Sequence, residues 1–267
     1  MISGESASSK AVPAAPIVEM SGVDLRFDEK RILEKLDLAV APRERLVILG
    51  QSGSGKSTTL RLILGILHPQ HGTVRFKGRD VTRMSRPKLN RMRQQIGMVY
   101  QYSALISSLS VRENLSLPLE ELSDKSKKEI DEIVQEKLGL VGMEDTGDRM
   151  PSELSGGMKK RIGLARALVL DPELILFDEP SAGLDPVISS VIDELIISLT
   201  EKTNATSIIV THEMESAFKI ATRMAMLYQG RIIQEDRPER FRGSKNEVVA
   251  QFVEGKTEGP ILEQKKA

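Results

Sequence analysis

Residues 50–58 decide the fold, and they read Gly50-Gln51-Ser52-Gly53-Ser54-Gly55-Lys56-Ser57-Thr58. The stretch matches the pattern G-x-x-x-x-G-K-[ST], which is typical of a loop that wraps around phosphate groups. Its three glycines let the backbone approach a ligand closely, so that backbone N–H groups can point at phosphate oxygens. The stretch therefore predicts a phosphate-binding P-loop.

The sequence on each side of this P-loop supplies the context that the motif needs. Residues 46–49 predict a short buried strand, and the apolar residues of 59–67 recur at helical spacing. The start of such a helix adds partial positive charge. Lys56 can reach the β- and γ-phosphates, and the Ser57 hydroxyl can bind Mg²⁺. The competing interpretation is a Gly/Ser loop with a chance lysine, and strand, loop and helix together argue against it.

Composition limits the class of protein. A chain of 267 residues is long enough for one large domain, or for a core with a subdomain. The 38 basic and 38 acidic residues cancel, so charge gives no support for nucleic-acid binding. The absence of cysteine excludes disulfides and thiolate metal sites. Neither a membrane span nor a signal peptide is visible, so we expect a cytosolic chain unless a partner holds it at a membrane.

The pattern of apolar residues divides the chain into segments. Residues 1–16 are rich in Ser, Ala and Pro and predict a disordered extension. Residues 17–38 alternate as two strands and 73–77 predict a third, which together suggest an antiparallel flank. Residues 83–93 are basic, and a solvated helix face is the favoured interpretation. The tail over 243–267 is rich in glycine and charge; it predicts a frayed end, with packing on a second subunit as the alternative.

Strands and helices alternate in the rest of the chain. A mostly helical block over about 102–165 predicts an inserted subdomain. Residues 174–179 then predict a buried strand ending in two carboxylates, and Asp185 with Pro186 predicts the start of a helix. This alternation argues for a parallel sheet covered on both faces, within a domain spanning 17–242. The predicted fold class is α/β, with a mixed sheet core, an antiparallel β flank and a helical insertion.

The order of motifs over roughly residues 17–241 resembles the ATP-binding-cassette (ABC) ATPases. The P-loop is followed by Gln101, Leu154-Ser155-Gly156-Gly157, Leu176-Phe177-Asp178-Glu179-Pro180, Gly183-Leu184-Asp185 and His212. Many NTPases share a P-loop, whereas the Leu-Ser-Gly-Gly signature ahead of the Asp-Glu strand is specific to this family. The resemblance implies a two-lobed fold and a head-to-tail homodimer with two ATP molecules between the subunits. Ser155, Gly156 and Gly157 of one subunit would cover the ATP held by the P-loop of the other.

The resemblance also implies roles for the other motif residues, with ATP and Mg²⁺ as ligands. Glu179 would be the general base that polarises the attacking water, and Lys56 and His212 would contact the γ-phosphate. The metal would be held by Ser57, Gln101 and Asp178. A helix cap is the competing interpretation of the Asp-Glu pair. A single histidine is usually structural, so the role of His212 depends on the resemblance.

Two further residues take their expected roles from the resemblance. Asp185 would bridge to the P-loop of the partner subunit. Phe27 takes the place of the aromatic residue that stacks on adenine, often a tyrosine in this family. Stacking on an aromatic side chain contributes about 1–3 kcal/mol per base. The alternative for Phe27 is a position in the hydrophobic core.

Three details are similar to the ATPases of Mce-type lipid transporters, the Mla phospholipid system of the Gram-negative envelope. They are Met158 after the signature, the serine-rich segment 103–114, and the C-terminal sequence 251–260. The implied partners are a membrane permease dimer, a lipid-binding Mce-domain protein and a small cytosolic accessory subunit. The chain would then lie at the cytoplasmic face of the inner membrane, held by the permease. Ser181 and Ala182 differ from some members of this lipid family.

Three other functions compete with lipid transport. An ABC importer for amino acids or another small solute would carry the same motifs. A soluble ABC ATPase acting on DNA or ribosomes would have two cassettes or long coiled coils, and this sequence shows neither. A catalytically inactive regulator would lack an essential residue, and none of the motif residues is missing.

Overall fold

The computed structural model describes residues 15–263. The extension predicted over 1–16 lies outside the described residues, apart from its last two positions. The strands of the described part are β1 (Val18–Phe27), β2 (Lys30–Val40), β3 (Arg45–Leu49), β4 (His71–Phe76), β5 (Arg79–Asp80), β6 (Ile96–Val99), β7 (Leu174–Asp178), β8 (Thr206–Thr211), β9 (Arg223–Tyr228) and β10 (Arg231–Asp236).

Helices fill most of the sequence between the strands. They are α1 (Lys56–Ile63), α2 (Arg86–Arg93), α3 (Val111–Leu122), α4 (Lys127–Leu140), α5 (Gly156–Leu168), α6 (Pro186–Thr203), α7 (Met214–Ile220), α8 (Pro238–Arg242), α9 (Glu247–Glu254) and α10 (Pro260–Glu263). Within residues 15–263, none of them combines the length and the apolar character that crossing a bilayer requires.

The larger sheet has six strands in the order β10-β9-β3-β8-β7-β6. The five strands from β9 to β6 are parallel, and β10 runs antiparallel to β9, so the sheet is mixed as predicted. The parallel strands consist mainly of buried apolar residues, because helices and the second sheet cover both faces. Their carboxyl ends meet at one edge, from which the P-loop and the loops after β6, β7 and β8 leave.

The smaller sheet has four antiparallel strands in the order β2-β1-β4-β5. It confirms the antiparallel flank. Long-range pairing sets its order, since β1 pairs with β4 across more than forty intervening residues that include β3 and the P-loop.

The larger sheet separates two hydrophobic cores. Successive side chains of β3 alternate between them: Val47 and Leu49 lie in one core, and Leu46 and Ile48 in the other. The first core contains side chains from α3 to α9, and the second contains the smaller sheet and α1. The larger sheet is therefore the middle layer, and its carboxyl edge is supported from both sides.

Capping residues set the boundaries of the helical insertion. Ser110 with Glu113 and Ser126 with Glu129 form capping boxes at the starts of α3 and α4. The second capping box sets the start of α4 at Lys127, directly after Ser126. Together with the beginning of α5, these helices occupy the predicted insertion over 102–165. Its status as a separate subdomain remains a prediction.

The prediction of a frayed end over 243–267 is wrong for α9 and α10, and residues 264–267 lie outside the described residues. Residues 247–254 form α9, and Val249 is fully buried in the first core beside Phe241 of α8. Gln251 accepts a hydrogen bond from the Ile261 N–H at 2.8 Å, which ties α10 to α9. The spacing of Val248, Val249, Phe252 and Val253 is helical and was available from the sequence.

Candidate nucleotide-binding site

The P-loop joins β3 to α1, as its motif requires. Gly55 precedes the first helical residue with a φ of 108°, a backbone conformation that side-chain-bearing residues rarely adopt. A Cβ at Gly55 would lie 2.8 Å from Leu33 Cδ2 and 3.2 Å from the Ile32 carbonyl oxygen. Only glycine combines this conformation with so close an approach to β2.

A cavity of about 650 Å³ lies over the P-loop, a volume within the usual range for small-molecule sites. It gathers residues from the ends of β3, β6, β7 and β8. The predicted site residues that line it are Gln51, Ser52, Gly53, Gly55, Lys56, Ser57, Thr58, Gln101, Glu179 and His212. Gly50 and Ser54 lie against each other in the same loop, since a Cβ on Gly50 would be 2.6 Å from Ser54 Oγ.

Lys56 links the P-loop to the end of β7. Its Nζ donates to the carbonyl oxygens of Gly50 at 2.7 Å and Gln51 at 3.2 Å, and lies 3.5 Å from Glu179 Oε1. Burial lowers the pKa of Lys56, and the negative charges of Glu179 and Asp178 oppose that shift. The ammonium group is thus held within the cavity by the loop and by the predicted base.

Three oxygen-bearing side chains fit a Mg²⁺ ion. The Ser57 hydroxyl donates to Asp178 Oδ1 at 2.7 Å, and Gln101 lines the same cavity. Hydroxyl, carboxylate and amide oxygens are the hard ligands that Mg²⁺ prefers. The three side chains therefore have the chemistry that a magnesium site requires, and the hydrogen bond from Ser57 to Asp178 joins two of them; their role as metal ligands remains a prediction.

Glu179 and His212 form a pair at the mouth of the cavity. His212 Nδ1 lies 3.0 Å from Glu179 Oε2, and the His212 N–H donates to the same oxygen at 3.3 Å. Glu179 is nearly buried, whereas the His212 side chain is 57% exposed. The buried carboxylate is thus oriented by the histidine, which is accessible from solvent.

Four residues near the site were missed by sequence reasoning. Lys30, Ile32 and Phe252 line the cavity, and Lys160 of α5 hydrogen-bonds the backbone carbonyl of Gln101. Phe252 reaches the cavity because α9 folds back onto the domain. Helical spacing placed Phe252 on α9 and Lys160 on α5, but no sequence signal pointed to a role in the site for any of the four residues.

Phe27 stands apart from the cavity lining. It is the last residue of β1 and is 44% exposed, which is incompatible with the alternative of a core residue. Lys30 and Ile32, just beyond the turn, line the cavity, but Phe27 does not. Its role in adenine stacking remains a prediction.

The signature residues lie outside the cavity of their own chain. Ser155 accepts a hydrogen bond from the Met158 N–H at 3.3 Å as the N-cap of α5, and it is exposed together with Gly156. Gly157 packs against Ile188 of α6, where a Cβ would lie 2.8 Å from Cγ2. The start of α5 therefore lies at the molecular surface, with Ser155 and Gly156 exposed.

Asp185 is the N-cap of α6. Its Oδ1 accepts hydrogen bonds from the N–H groups of Val187 and Ile188, both at 3.0 Å. This confirms the predicted start of the helix at Asp185-Pro186. The bridge from Asp185 to a partner's P-loop remains a prediction.

Comparison with known proteins gives the same family as the motifs. A family model described as ABC transporter matches residues 33–182. The probable ribonucleotide transport ATP-binding protein mkl of Mycobacterium tuberculosis is 39% identical over 255 residues, covering 96% of this chain and 71% of that protein. The intermembrane phospholipid transport system ATP-binding protein MlaF of Haemophilus influenzae is 38% identical, covering 92% and 93%.

A solved structure extends the likeness to three dimensions. The dimeric ATP-binding cassette MJ0796, in a post-hydrolysis state bound to ADP and Pi, superposes with a TM-score of 0.75 at 30% identity. The alignment covers 83% of this chain and 98% of that one. The motifs, the two-sheet fold and these relatives agree, and the chain belongs to the ABC transporter family.

Proposed function

We propose that this chain is the ATP-hydrolysing subunit of a membrane ABC transporter that drives phospholipid transport across a Gram-negative cell envelope. One observation supports the ATPase activity: Lys56 and other P-loop residues line the same cavity as Glu179 and His212. The phospholipid substrate is supported by the likeness to MlaF, which extends over nearly the whole of both chains.

The chemistry of ATP hydrolysis follows from the arrangement of these side chains. The P-loop N–H groups and Lys56 would bind the phosphates, while Ser57, Gln101 and Asp178 would hold Mg²⁺. Such an ion would supply positive charge that stabilises the transferred phosphoryl group. Glu179 accepts a hydrogen bond from the attacking water and removes its proton, and His212 holds the Glu179 carboxylate in place.

A second copy of the chain completes the reaction centre. Ser155, Gly156 and Gly157 lie at the start of a helix, where N–H groups suit an anionic γ-phosphate, yet these residues are absent from the lining of their own cavity. A head-to-tail homodimer places them over the partner's nucleotide. The dimeric arrangement of the MJ0796 cassette supports this assembly.

The names of the relatives offer two classes of transported substrate. MlaF is named for intermembrane phospholipid transport and mkl for ribonucleotide transport. This chain spans 93% of MlaF but 71% of mkl, which favours phospholipid. A permease dimer in the inner membrane would hold the chain at the cytoplasmic face, with an Mce-domain protein and a small cytosolic subunit as further partners.

Purification from membranes tests this function. The full chain carries an affinity tag and is isolated from detergent-solubilised membranes, and the copurifying proteins are identified by mass spectrometry. We expect a multi-span permease together with an Mce-domain protein. The purified complex should hydrolyse ATP and extract labelled phospholipid from vesicles of phosphatidylethanolamine and phosphatidylglycerol.

Two results would contradict lipid transport. One is a permease that copurifies with a small-solute binding protein, as expected of an amino-acid importer. The other is ATPase activity that is stimulated by ribonucleotide cargo and is unaffected by phospholipid. Either result leaves the ATPase activity itself intact, because the nucleotide site does not depend on the cargo.

A further inference from the structure

Lys160 connects three of the functional motifs through one ammonium group. It lies on α5, one helical turn after the signature residue Gly156. Its Nζ donates to the carbonyl oxygen of Gln101 at 2.5 Å and to that of Glu179 at 3.3 Å. The signature helix is therefore joined directly to the loop of a metal ligand and to the backbone of the base.

The side chain of Lys160 is enclosed where these hydrogen bonds form. The residue is only 5% exposed, and this burial lowers its pKa. The negative charges of Glu213, Glu179 and Asp178 oppose the shift and favour the charged form. A buried ammonium group donating to two carbonyls makes stronger hydrogen bonds than a neutral donor would.

The backbone of Glu179 needs such support. Its φ of 50° lies in the left-handed region, which residues other than glycine rarely adopt. The Glu179 N–H donates to the Val210 carbonyl at 2.9 Å, and its own carbonyl also accepts from the Ala182 N–H at 3.3 Å. Strained conformations at functional sites persist when several contacts hold them, and Lys160 supplies one of these contacts from a different helix.

We propose that Lys160 is a positioning residue that couples the signature loop of a chain to the general base and the Gln101 loop of the same chain. The inference rests on the proposed ATPase dimer. When Ser155 and its neighbours contact the nucleotide of the second copy, any shift of α5 moves Nζ. The carbonyls of Gln101 and Glu179 move with it, so occupancy of one nucleotide site adjusts the base of the other.

Substitution of Lys160 in the full chain tests this coupling. Lys160→Met keeps the length of the side chain and removes its charge and donors. We expect kcat for ATP to fall by about 10- to 100-fold, the loss typical of a misplaced catalytic group. The Hill coefficient for ATP should fall towards one, while the equilibrium Kd for ATP stays within about threefold of wild type, because binding and chemistry are separate steps.

Matched variants separate positioning from a loss of structure. Lys159→Met makes the same chemical change at a half-buried neighbour for which residues 15–263 offer no side-chain hydrogen bond or ion pair, and it should behave as wild type. Lys160→Arg keeps the charge and the donors and should recover most of kcat and the Hill coefficient. Should Lys160→Met unfold, Lys160→Gln serves in its place. Thermal unfolding of each variant accompanies the kinetics.

Two outcomes would overturn the inference. One is a folded Lys160→Met or Lys160→Gln protein with wild-type kcat and Hill coefficient. The other is a Lys160→Met protein that loses ATP binding and kcat in parallel and is not rescued by arginine. Both outcomes are distinct from a failure of the lipid proposal. If that proposal failed, the wild-type chain would hydrolyse ATP with normal kinetics but would not extract lipid.

Discussion

At the scale of single residues, the site depends on how Glu179 is held. Its carboxylate contacts Lys56 at 3.5 Å and His212 at 3.0 Å, and its backbone adopts a left-handed conformation. These contacts fix the direction of the carboxylate. A general base that is oriented in advance loses little entropy when it meets the attacking water.

Removing the charge of Glu179 provides the first test at this scale. We expect Glu179→Gln to lower ATP turnover by about 100- to 10,000-fold, because an amide cannot accept the proton from water. ATP should still bind, since the P-loop and Lys56 are unchanged. Steady-state phosphate release and equilibrium binding of a fluorescent ATP analogue measure the two effects.

Glu173 provides the control for this variant, because it directly precedes β7 whereas Glu179 directly follows it. The Glu173 carboxylate forms a surface ion pair with Lys77 at 2.6 Å. Glu173→Gln should leave turnover unchanged. Normal ATP turnover by the Glu179→Gln protein would show that Glu179 is not the general base.

At the scale of elements, α6 shows how one residue can serve both the fold and the site. Asp185 caps the helix by accepting two backbone N–H groups at 3.0 Å. The family resemblance gives the same carboxylate a contact with a second copy. The cap needs only an oxygen acceptor, whereas a contact with a cationic P-loop needs the charge.

A pair of substitutions at Asp185 separates these roles. Asp185→Ala should lower the free energy of unfolding by about 1 kcal/mol, because it removes the N-cap, whereas Asp185→Asn should leave it nearly unchanged. Urea denaturation measures the difference. If Asp185 also bridges to the partner, Asp185→Asn lowers ATPase activity at unchanged stability. Equal destabilisation by both variants would show that the cap is not the source of the stability.

At the scale of the whole molecule, the reaction centre is divided between two surfaces. The P-loop, Glu179 and His212 line one cavity, and the signature at Ser155 and Gly156 lies on another part of the surface. Within residues 15–263, the signature residues do not line the cavity of their own chain. In the proposed head-to-tail homodimer, the N–H groups at the start of α5 would contact the nucleotide held by the second copy.

An added negative charge at Gly156 tests this assembly. The change suits α5 itself, because an acidic residue at a helix start is favourable and the new Cβ would meet Leu184 Cδ2 at an ordinary 3.4 Å. We expect Gly156→Asp to lower ATPase activity by about 100-fold, because like charges held close together cost several kcal/mol. ATP binding to a single chain and the melting temperature should stay the same.

The neutral variant Gly156→Asn controls for size in this experiment. It should retain more activity than Gly156→Asp, since it adds a similar volume without charge. Activity of Gly156→Asp equal to that of wild type would contradict the placement of the signature over the partner's nucleotide.

Much of the fold followed from local patterns. The P-loop sequence requires a strand before it and a helix after it, because its glycines and Lys56 act only in that setting. Alternating and helical spacings located the antiparallel flank, the strand and helix on either side of the P-loop, the helical insertion and the strand that ends at Asp178. Gln101, Glu179 and His212 were identified from the family resemblance, and the structure places all three in the cavity at the carboxyl edge of the sheet.

The remaining features depended on contacts between distant segments. Lys160 is an ordinary helical lysine in the sequence, and its bonds to Gln101 and Glu179 arise because α5 packs behind β6 and β7. The burial of α9 and the approach of Phe252 to the cavity likewise follow from tertiary packing.

The amino-acid sequence by itself thus determined the family, the phosphate-binding loop and the two carboxylates, because each is encoded by neighbouring residues with a local backbone requirement. Only the tertiary structure decided which side chains hold those groups in place and which residue of the tail lines the site. Such contacts join residues far apart in the chain, and no local pattern of charge or apolar spacing specifies them.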